Sequence, residues 1–329
     1  MTGMTTLSGQ TGRVPIVLIA FNRPEATRRV LERIKHASPP ELFVIMDAAR
    51  EHVPSDRERC LEVQQIISSV DWCPKIHTIY ASKNMGCRNR LSTGITAVFE
   101  ETPEAIFLED DCLPDPSFFH YCEELLERYR DDERIMSIGG TNWQYGWPVS
   151  ASYFGSRFAH VWGWASWRRA WNRYDVAMKD WPTCRQDAAF FDLEAPEYRN
   201  YWTRIFDMVS RGEIESWAFQ WTFAHMRHRG ISIAPCVNLV ENIGFGSDAT
   251  NTRSVPQWLF QKAVAMQHPL CHPAQLIYDD DADRRTFLCN NRLRPPQLPF
   301  WLPRWMESIH KRMPGWKVRH EMIQRIWPR

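Results

Sequence analysis

The first third of the chain alternates two hydrophobic rhythms. Unbroken apolar runs at 14–21 (VPIVLIAF), 42–46 (LFVIM) and 105–108 have the continuity of strands buried on both faces, and 76–80 (IHTIY) reads as a further strand. Between them lie segments with a period near 3.6. One is 25–36, with Val30, Leu31 and Ile34 on one face; another is 57–70, with Leu61, Val63, Ile66 and Ile67 inward; a third is 88–100. Pro24, just past the first run, suits the first position of a helix. The alternation predicts an α/β fold with a doubly wound, mostly parallel, Rossmann-like sheet. Right-handed crossovers bring the carboxyl ends of such strands to one edge. Asn22, Arg23, Asp47, Asn84, Arg88, Asp110 and Asp111 are therefore expected to meet there.

Past residue 129 the texture changes. A helix at 117–129 and a short strand at 135–140 precede an aromatic-dense stretch, 142–181, within which a helix is expected at about 165–174. Helical patterns at 196–211 and 217–229 lead to a strand at 231–235. The segment 238–252 (NLVENIGFGSDATNT) carries turn chemistry and little hydrophobic period. From residue 292 onward nine Lys and Arg face Glu307 and Glu321, with Phe300, Trp301, Trp305, Trp316 and Trp327 interleaved. Such a tail suits either an anionic membrane surface or a packing arm with a solvated basic face. These shifts divide the chain into a disordered start at 1–13, two halves of one domain at 14–130 and 131–290, and a basic aromatic tail at 291–329.

Composition narrows the reading. A length of 329 residues supports a large core, and a net charge of +1 gives no global field for nucleic acid. Sixteen Trp exceed what a generic core needs and point to a wide binding or membrane-facing surface, with a Trp-rich core as the plainer account. Nine scattered Cys without a C-x-x-C pair fit reduced cytoplasmic thiols better than a disulfide framework or a zinc site. No apolar run reaches the roughly 18–20 residues that span a bilayer, and no signal pattern opens the chain. The expected location is the cytoplasm, at the inner face of the plasma membrane if the tail binds lipid.

The densest chemistry follows the fourth apolar run, where Glu109, Asp110 and Asp111 stand in succession before Pro114-Asp115-Pro116. Adjacent carboxylates repel, and a fold that gathers them at a strand end usually supplies a cation. The plainer account is a solvated acidic turn. No Gly-x-Gly-x-x-Gly follows the first run and no Gly-Lys-Ser/Thr loop is present, which weakens dinucleotide and P-loop readings.

The set Phe21-Asn22-Arg23, Arg28-Arg29-Val30-Leu31, Phe107-Leu108-Glu109-Asp110-Asp111, Pro116-Ser117-Phe118-Phe119 and Gly163-Trp164 resembles the nucleotide-sugar glycosyltransferases of the GT-A fold. It is similar in particular to the N-acetylglucosaminyltransferase I type, whose Asp-x-Asp motif takes the form Glu-Asp-Asp. The stretch 217–252 resembles the haemolytic-protein-like bacterial glycosyltransferases. The resemblance covers about 14–252 and makes 14–130 the nucleotide-sugar half and 131–290 the acceptor half. It implies that Asp111 ligates Mn2+ or Mg2+ bridging the donor phosphates, and that Asp110 and Glu109 contact ribose and sugar. It also implies that Phe21-Asn22-Arg23 meets the nucleotide and that Asp47 reads the base edge, with a UDP-sugar favoured as donor. Asn84 and Arg88 are added from their position at the strand-end edge, Arg88 as a phosphate contact at a helix start.

The resembled enzymes carry a carboxylate between two tryptophans as general base, but here Ala218 occupies that place in Glu215-Ser216-Trp217-Ala218. Glu215 is the nearest acid, Asp248 could serve as base or supporting group, and Asp180 is a weaker candidate. Trp162, Gly163, Trp164 and Trp217, with Trp143, offer faces on which sugars stack, each singly being more often core. The loop 242–252 is expected at the donor or acceptor side, its glycines permitting closure.

The expected activity is metal-dependent transfer of a hexosyl or N-acetylhexosaminyl group to a glycan or lipid-linked glycan in bacterial surface-polysaccharide synthesis. Inversion rests on the resemblance alone. The alternatives are a sugar-1-phosphate nucleotidyltransferase, which would want a Gly-rich basic loop after the first strand, and a catalytically idle glycan-binding module.

Overall fold

A computed structural model describes residues 12–191, 196–244 and 261–290. In chain order the elements are β1 (Ile16–Ala20), α1 (Pro24–Ala37), β2 (Leu42–Met46), α2 (Pro54–Ser68), β3 (Ile76–Tyr80), α3 (Gly86–Glu101) and β4 (Glu104–Glu109). Then come β5 (Cys112–Pro114), α4 (Ser117–Arg128), β6 (Ile135–Gly139), β7 (Tyr153–Ser156), β8 (Trp164–Trp167), α5 (Arg168–Trp171) and α6 (Trp181–Cys184). The series ends with α7 (Pro196–Ser210), α8 (Ala218–Arg227), β9 (Ile231–Pro235), β10 (Val240–Asn242) and α9 (Asp280–Asn290).

Eight strands form one sheet in the order β3-β2-β1-β4-β8-β6-β9-β7. The pairings β3·β2, β2·β1, β1·β4 and β6·β9 are parallel, whereas β8 runs antiparallel to both β4 and β6 and β7 antiparallel to β9. This is the expected α/β architecture with a mostly parallel sheet. The unbroken apolar runs are explained by cover on both faces. Val30, Leu31 and Ile34 of α1, Cys60, Val63 and Ile67 of α2, and the buried face of α4 pack with Leu18, Val44 and Ile106. On the other face Leu91, Ile95 and Val98 of α3 pack with Val17, Phe43, Ile45 and Phe107, together with Trp171 and Trp221. Each such side chain, fully withdrawn from water, contributes roughly 1.5–3 kcal/mol of transfer free energy.

Two expectations fail for local reasons. Leu61 is half exposed, because α2 turns Asp56, Cys60, Val63 and Ile67 inward instead. The helix expected at 165–174 is a strand over Trp164–Trp167, followed by the single turn Arg168–Trp171. The strand alternates, with Trp164 entering one core and Ala165 and Trp167 the other, so period 2 governs where period 3.6 was read. Residues 1–11 and the basic tail at 291–329 lie outside the described residues. All nine cysteines are free, and among the described residues no helix is long and apolar enough to cross a membrane.

Behind β6 sits a buried polar pair of elements. His225 of α8 places Nε2 2.9 Å from Ser137 Oγ and Nδ1 2.9 Å from the Trp221 carbonyl. Burial lowers the pKa of His225 to about 4, and burial together with His225 lowers that of His160 to about 4. Both imidazoles are thus neutral in the fold but bind protons when unfolded below their ordinary pKa near 6.5. Their contribution to stability is full above pH 6.5 and is lost as pH falls toward 4. A thermal melt series over that range should show a falling Tm, and His225→Gln should flatten the slope while lowering Tm at neutral pH.

Candidate nucleotide-sugar site

The parallel run β3-β2-β1-β4 delivers its carboxyl ends to one edge, as the crossover rule requires. Ile19 of β1 stands opposite Glu109 of β4, and the Asp110 N–H donates to the Ile19 carbonyl at 2.8 Å. Beyond that point the two strands part. Asp110 folds back, its Oδ2 accepting the Phe21 N–H at 3.0 Å. Arg23 Nη1 donates to Asp110 Oδ1 and Asp111 Oδ2, both at 2.8 Å. The arginine placed by β1 is therefore the counter-ion of the acidic motif placed by β4.

One guanidinium does not balance three carboxylates. Burial, and then the charges of Asp111 and Asp110, push the pKa of Glu109 well above the usual carboxylate range. Burial likewise raises Asp110, against the opposing pull of Arg23. The three carboxylates do not form a cage: the only trio of His, Cys, Asp or Glu ligand atoms lying close together among the described residues is elsewhere. Asp111 stands outside the lining of the neighbouring cavity, with Arg23 on its Oδ2 and Cys112 Sγ 3.6 Å from its Oδ1. Its side chain is 13% exposed, its oxygen donors suit Mn2+ or Mg2+, and the cluster is short of positive charge.

Asp111 is held by a small second sheet in which β10 pairs antiparallel with β5, setting Asn242 opposite Cys112. The Ile243 N–H donates to the Asp111 carbonyl at 2.8 Å. A Cβ on Gly244 would fall 2.2 Å from Asp111 Oδ2, so only glycine lets the chain pass this close. Of the loop expected at 242–252, the described part thus lies against the acidic motif. Asp248 and the remainder lie outside the described residues.

A cavity of about 390 Å³ opens beside the cluster, within the usual range for small-molecule sites. Phe21, Arg23, Asp47, Asn84, Glu109, Asp110 and Glu215 line it, along with Arg50, His52, Cys87 and Arg90. Glu215 stands on the wall formed by the start of α3, where a Cβ on Gly86, whose φ is +75°, would lie 2.0 Å from Glu215 Oε1. Its position is set from the C-terminal side: Ser216 Oγ accepts the Ala218 and Phe219 N–H groups at 3.1 and 3.3 Å, and Trp217 is buried. Ala218, in the place where a carboxylate was expected, packs against the core.

Other sequence candidates are placed differently. Asn22 does not line the cavity; its Nδ2 donates to Asp56 Oδ1 at 2.7 Å. Asp47 does line it, but its carboxylate accepts the N–H groups of Ala48, Met85 and Gly86 and the amide of Asn84, at 2.9–3.2 Å. Its lone pairs are therefore taken by the start of α3 and not aimed at a base. Burial raises its pKa against those hydrogen bonds. Arg88 lies within electrostatic reach of Tyr174 and outside the cavity lining.

Arg90, not Arg88, lines the cavity from α3. Its Nη2 donates to the Ile79 carbonyl at 2.7 Å, while its buried Nε has no hydrogen-bond partner. The signal was present, since Arg90 shares a helical stripe with Gly94 and Val98 and so points to the sheet. Asp180 pairs with Arg227 at 3.1 Å and lines a separate cavity.

The expected stacking tryptophans need correction. Trp164 is 1% exposed and stacked on Phe107 at 4.4 Å, and Trp217 is buried against Trp164 at 5.5 Å. Neither has a face free for a sugar. Trp143 is buried too, while Trp162 is half-buried against it at 5.2 Å. Gly163, at φ +64°, is a close-approach residue: a Cβ there would meet Val240 Cγ2 at 2.6 Å.

Removing Arg23 leaves buried carboxylates without their counter-ion. Arg23→Gln should lose roughly 3–5 kcal/mol at neutral pH by chemical denaturation. Asp110→Asn in the same background should recover part of that loss, as a double-mutant cycle would show.

No protein-family model matches the sequence, and no curated protein matches it. Among solved structures it is similar to a mannosyltransferase from Pyrobaculum calidifontis in complex with GDP-mannose and Mn2+, at 12% identity and TM-score 0.35, over 66% of this chain and 70% of that one. It is similar to mouse xyloside xylosyltransferase 1 at 14% identity and TM-score 0.34, over 67% and 84%. A UDP-glucose pyrophosphorylase bound to UDP-glucose matches at 9% identity and TM-score 0.36, over 70% and 93%. Likenesses this distant carry no argument about what the chain does.

Proposed function

We propose that this chain is a glycosyltransferase that takes a sugar from a nucleotide-diphosphate donor. One observation carries the reading: a single cavity brings Glu109 and Asp110 of the acidic motif and the carboxylate of Glu215, distant in sequence, to its walls. The resemblance to N-acetylglucosaminyltransferase I-type and haemolytic-protein-like enzymes supports it. A nucleotidyltransferase is disfavoured because Phe21-Asn22-Arg23 leads directly into Pro24 at the head of α1, with no glycine-rich loop to wrap a triphosphate. An idle binding module is disfavoured because a carboxylate without a hydrogen-bond partner among the described residues, Glu215, stands in the cavity despite Ala218.

Asp111 would hold a Mn2+ or Mg2+ ion, which when bound supplies positive charge to the departing diphosphate. The protein's own groups do the rest. Arg23 orients Asp110 and Asp111 and keeps the motif from swinging into solvent. Arg90 offers a buried guanidinium that stabilises negative charge developing on the phosphates, an interaction stronger in the transition state than before it. Glu215 takes the proton of the acceptor hydroxyl as its oxygen bonds to the anomeric carbon and the glycosyl–phosphate bond breaks. Inversion rests on the resemblance alone.

We place the activity in bacterial surface-polysaccharide synthesis at the cytoplasmic face of the membrane, with a UDP-sugar as donor and a glycan or lipid-linked glycan as acceptor. This part rests on the resemblance and on the basic aromatic tail.

A thermal-shift screen should find one nucleoside diphosphate that raises Tm only with Mn2+ or Mg2+ present. Asp111→Asn should abolish that shift and lower transfer about 10³-fold, equivalent to roughly 4 kcal/mol in the barrier. Glu215→Gln should lower kcat by about 10²–10⁴-fold while leaving the shift intact. Metal-independent nucleotide binding, unchanged in Asp111→Asn, would overturn the reading.

A further inference from the structure

Away from the cavity, α4 carries a second set of metal-competent side chains. Its core face is made by Phe118, Phe119, Tyr121, Cys122, Leu125 and Leu126. His120 and Glu124, one turn apart, stand on the opposite face. Across them runs the segment 261–279, which has almost no regular structure but is fastened at several points. Met266, Leu270 and Leu276 are buried, the Met266 N–H donates to Ser117 Oγ at 2.8 Å, and the Cys271 N–H donates to Ser152 Oγ at 2.9 Å. Between the buried Met266 and Leu270, His268 is set beside His120, their ring centroids 4.5 Å apart.

One ligand atom from each of His120, Glu124 and His268 lies within 4.8 Å of the other two. His120 Nε2 and Glu124 Oε2 are 3.8 Å apart, too far for a hydrogen bond. Two ligands about 2.0–2.1 Å from one tetrahedral ion are separated by about 3.4 Å, so the gap is close to that of ligands awaiting a common cation. The carboxylate is also held from behind. His272 Nε2 lies 3.2 Å from Glu124 Oε1, His272 Nδ1 lies 2.8 Å from the Tyr153 hydroxyl, and that hydroxyl lies 2.8 Å from the Tyr129 hydroxyl. Outer partners of this kind fix the orientation of a ligating carboxylate.

A plain surface ion pair explains the neighbouring His120 and Glu124 on the helix. It does not explain a second imidazole, brought by a separate segment between two buried anchors, beside the same carboxylate. Two imidazoles and one carboxylate are the donor set of a Zn2+ site with an open fourth position, and borderline nitrogen donors favour Zn2+ over Mn2+ or Mg2+. We infer that His120, Glu124 and His268 form a Zn2+-class site that clamps the 261–279 segment onto α4, separate from the acidic cluster.

The test is calorimetric titration of Zn2+ into the full chain after chelator treatment, in an Asp111→Asn background so that the acidic motif does not contribute. One Zn2+ per chain is expected to depend on the triad, with His120→Gln/His268→Gln abolishing that binding and the ligand-field spectrum of tetrahedral Co2+. His272→Gln should weaken it by about 10–100-fold. Zn2+ should raise the Tm of the Asp111→Asn protein but not that of the variant lacking both imidazoles. No Zn2+ uptake, or uptake equal with and without the two imidazoles, would overturn the inference; both results leave the reading of the acidic cluster untouched.

Discussion

The ion pair between Arg23 and the Asp110-Asp111 carboxylates ties together the ends of the two central strands, and the surrounding geometry follows from it. The strands are parallel neighbours, so their chain ends diverge into separate connections just where the acidic motif begins. Arg23 spans that divergence at 2.8 Å to each carboxylate. A buried pair of this kind is weak evidence for stability by itself, since desolvation offsets much of the attraction. Its cost is visible in Glu109, whose pKa is raised by burial and then by the charges of Asp111 and Asp110, against the pull of Arg23.

Much of this frame was legible along the chain. The strands Ile16–Ala20 and Leu42–Met46 fall within their apolar runs, because central parallel strands buried on both faces leave no polar alternation to confuse the period, and the edge strand Ile76–Tyr80 was read at its observed bounds. The convergence of Arg23, Asp47 and the acidic motif follows from strand ends and crossover handedness alone. The strand Trp164–Trp167 was not legible. Four residues give too little length to separate period 2 from period 3.6, and its place between β4 and β6 is set by partners distant in sequence. The short β5·β10 pair was missed for the same reason, and with it the closeness of Gly244 to Asp111.

The aromatic excess shows the limit of composition as a guide to chemistry. A tryptophan that stacks on a sugar and one that stacks on Phe107 have the same sequence signature. Trp164, Trp171, Trp217 and Trp221 form one continuous packing on the α3 face, with ring centroids 5.2–6.4 Å apart. These rings act on the site indirectly. By burying Trp217 they fix the backbone one residue beyond Ser216, and so fix where Glu215 enters the cavity. The choice between Arg88 and Arg90 was different in kind, because the helical stripe already separates them. Proximity to the helix start drew attention to Arg88, and the period places Arg90 inside.

The start of α3 joins the two walls of the cavity. Asp47, at the end of β2, accepts the Met85 and Gly86 N–H groups and so fixes that turn to the sheet edge. Gly86 in turn leaves room for Glu215 where any side chain would collide with it. The carboxylate expected to read a base edge therefore sets the distance between the acidic cluster, carried by the sheet, and Glu215, carried by the approach to α8. A shift of this turn would move Glu215 relative to the acidic cluster without touching either. Alignment of reacting groups accounts for several kcal/mol of a transfer barrier, so under the proposed function Asp47 would act by setting geometry, its oxygens being fully engaged by the protein.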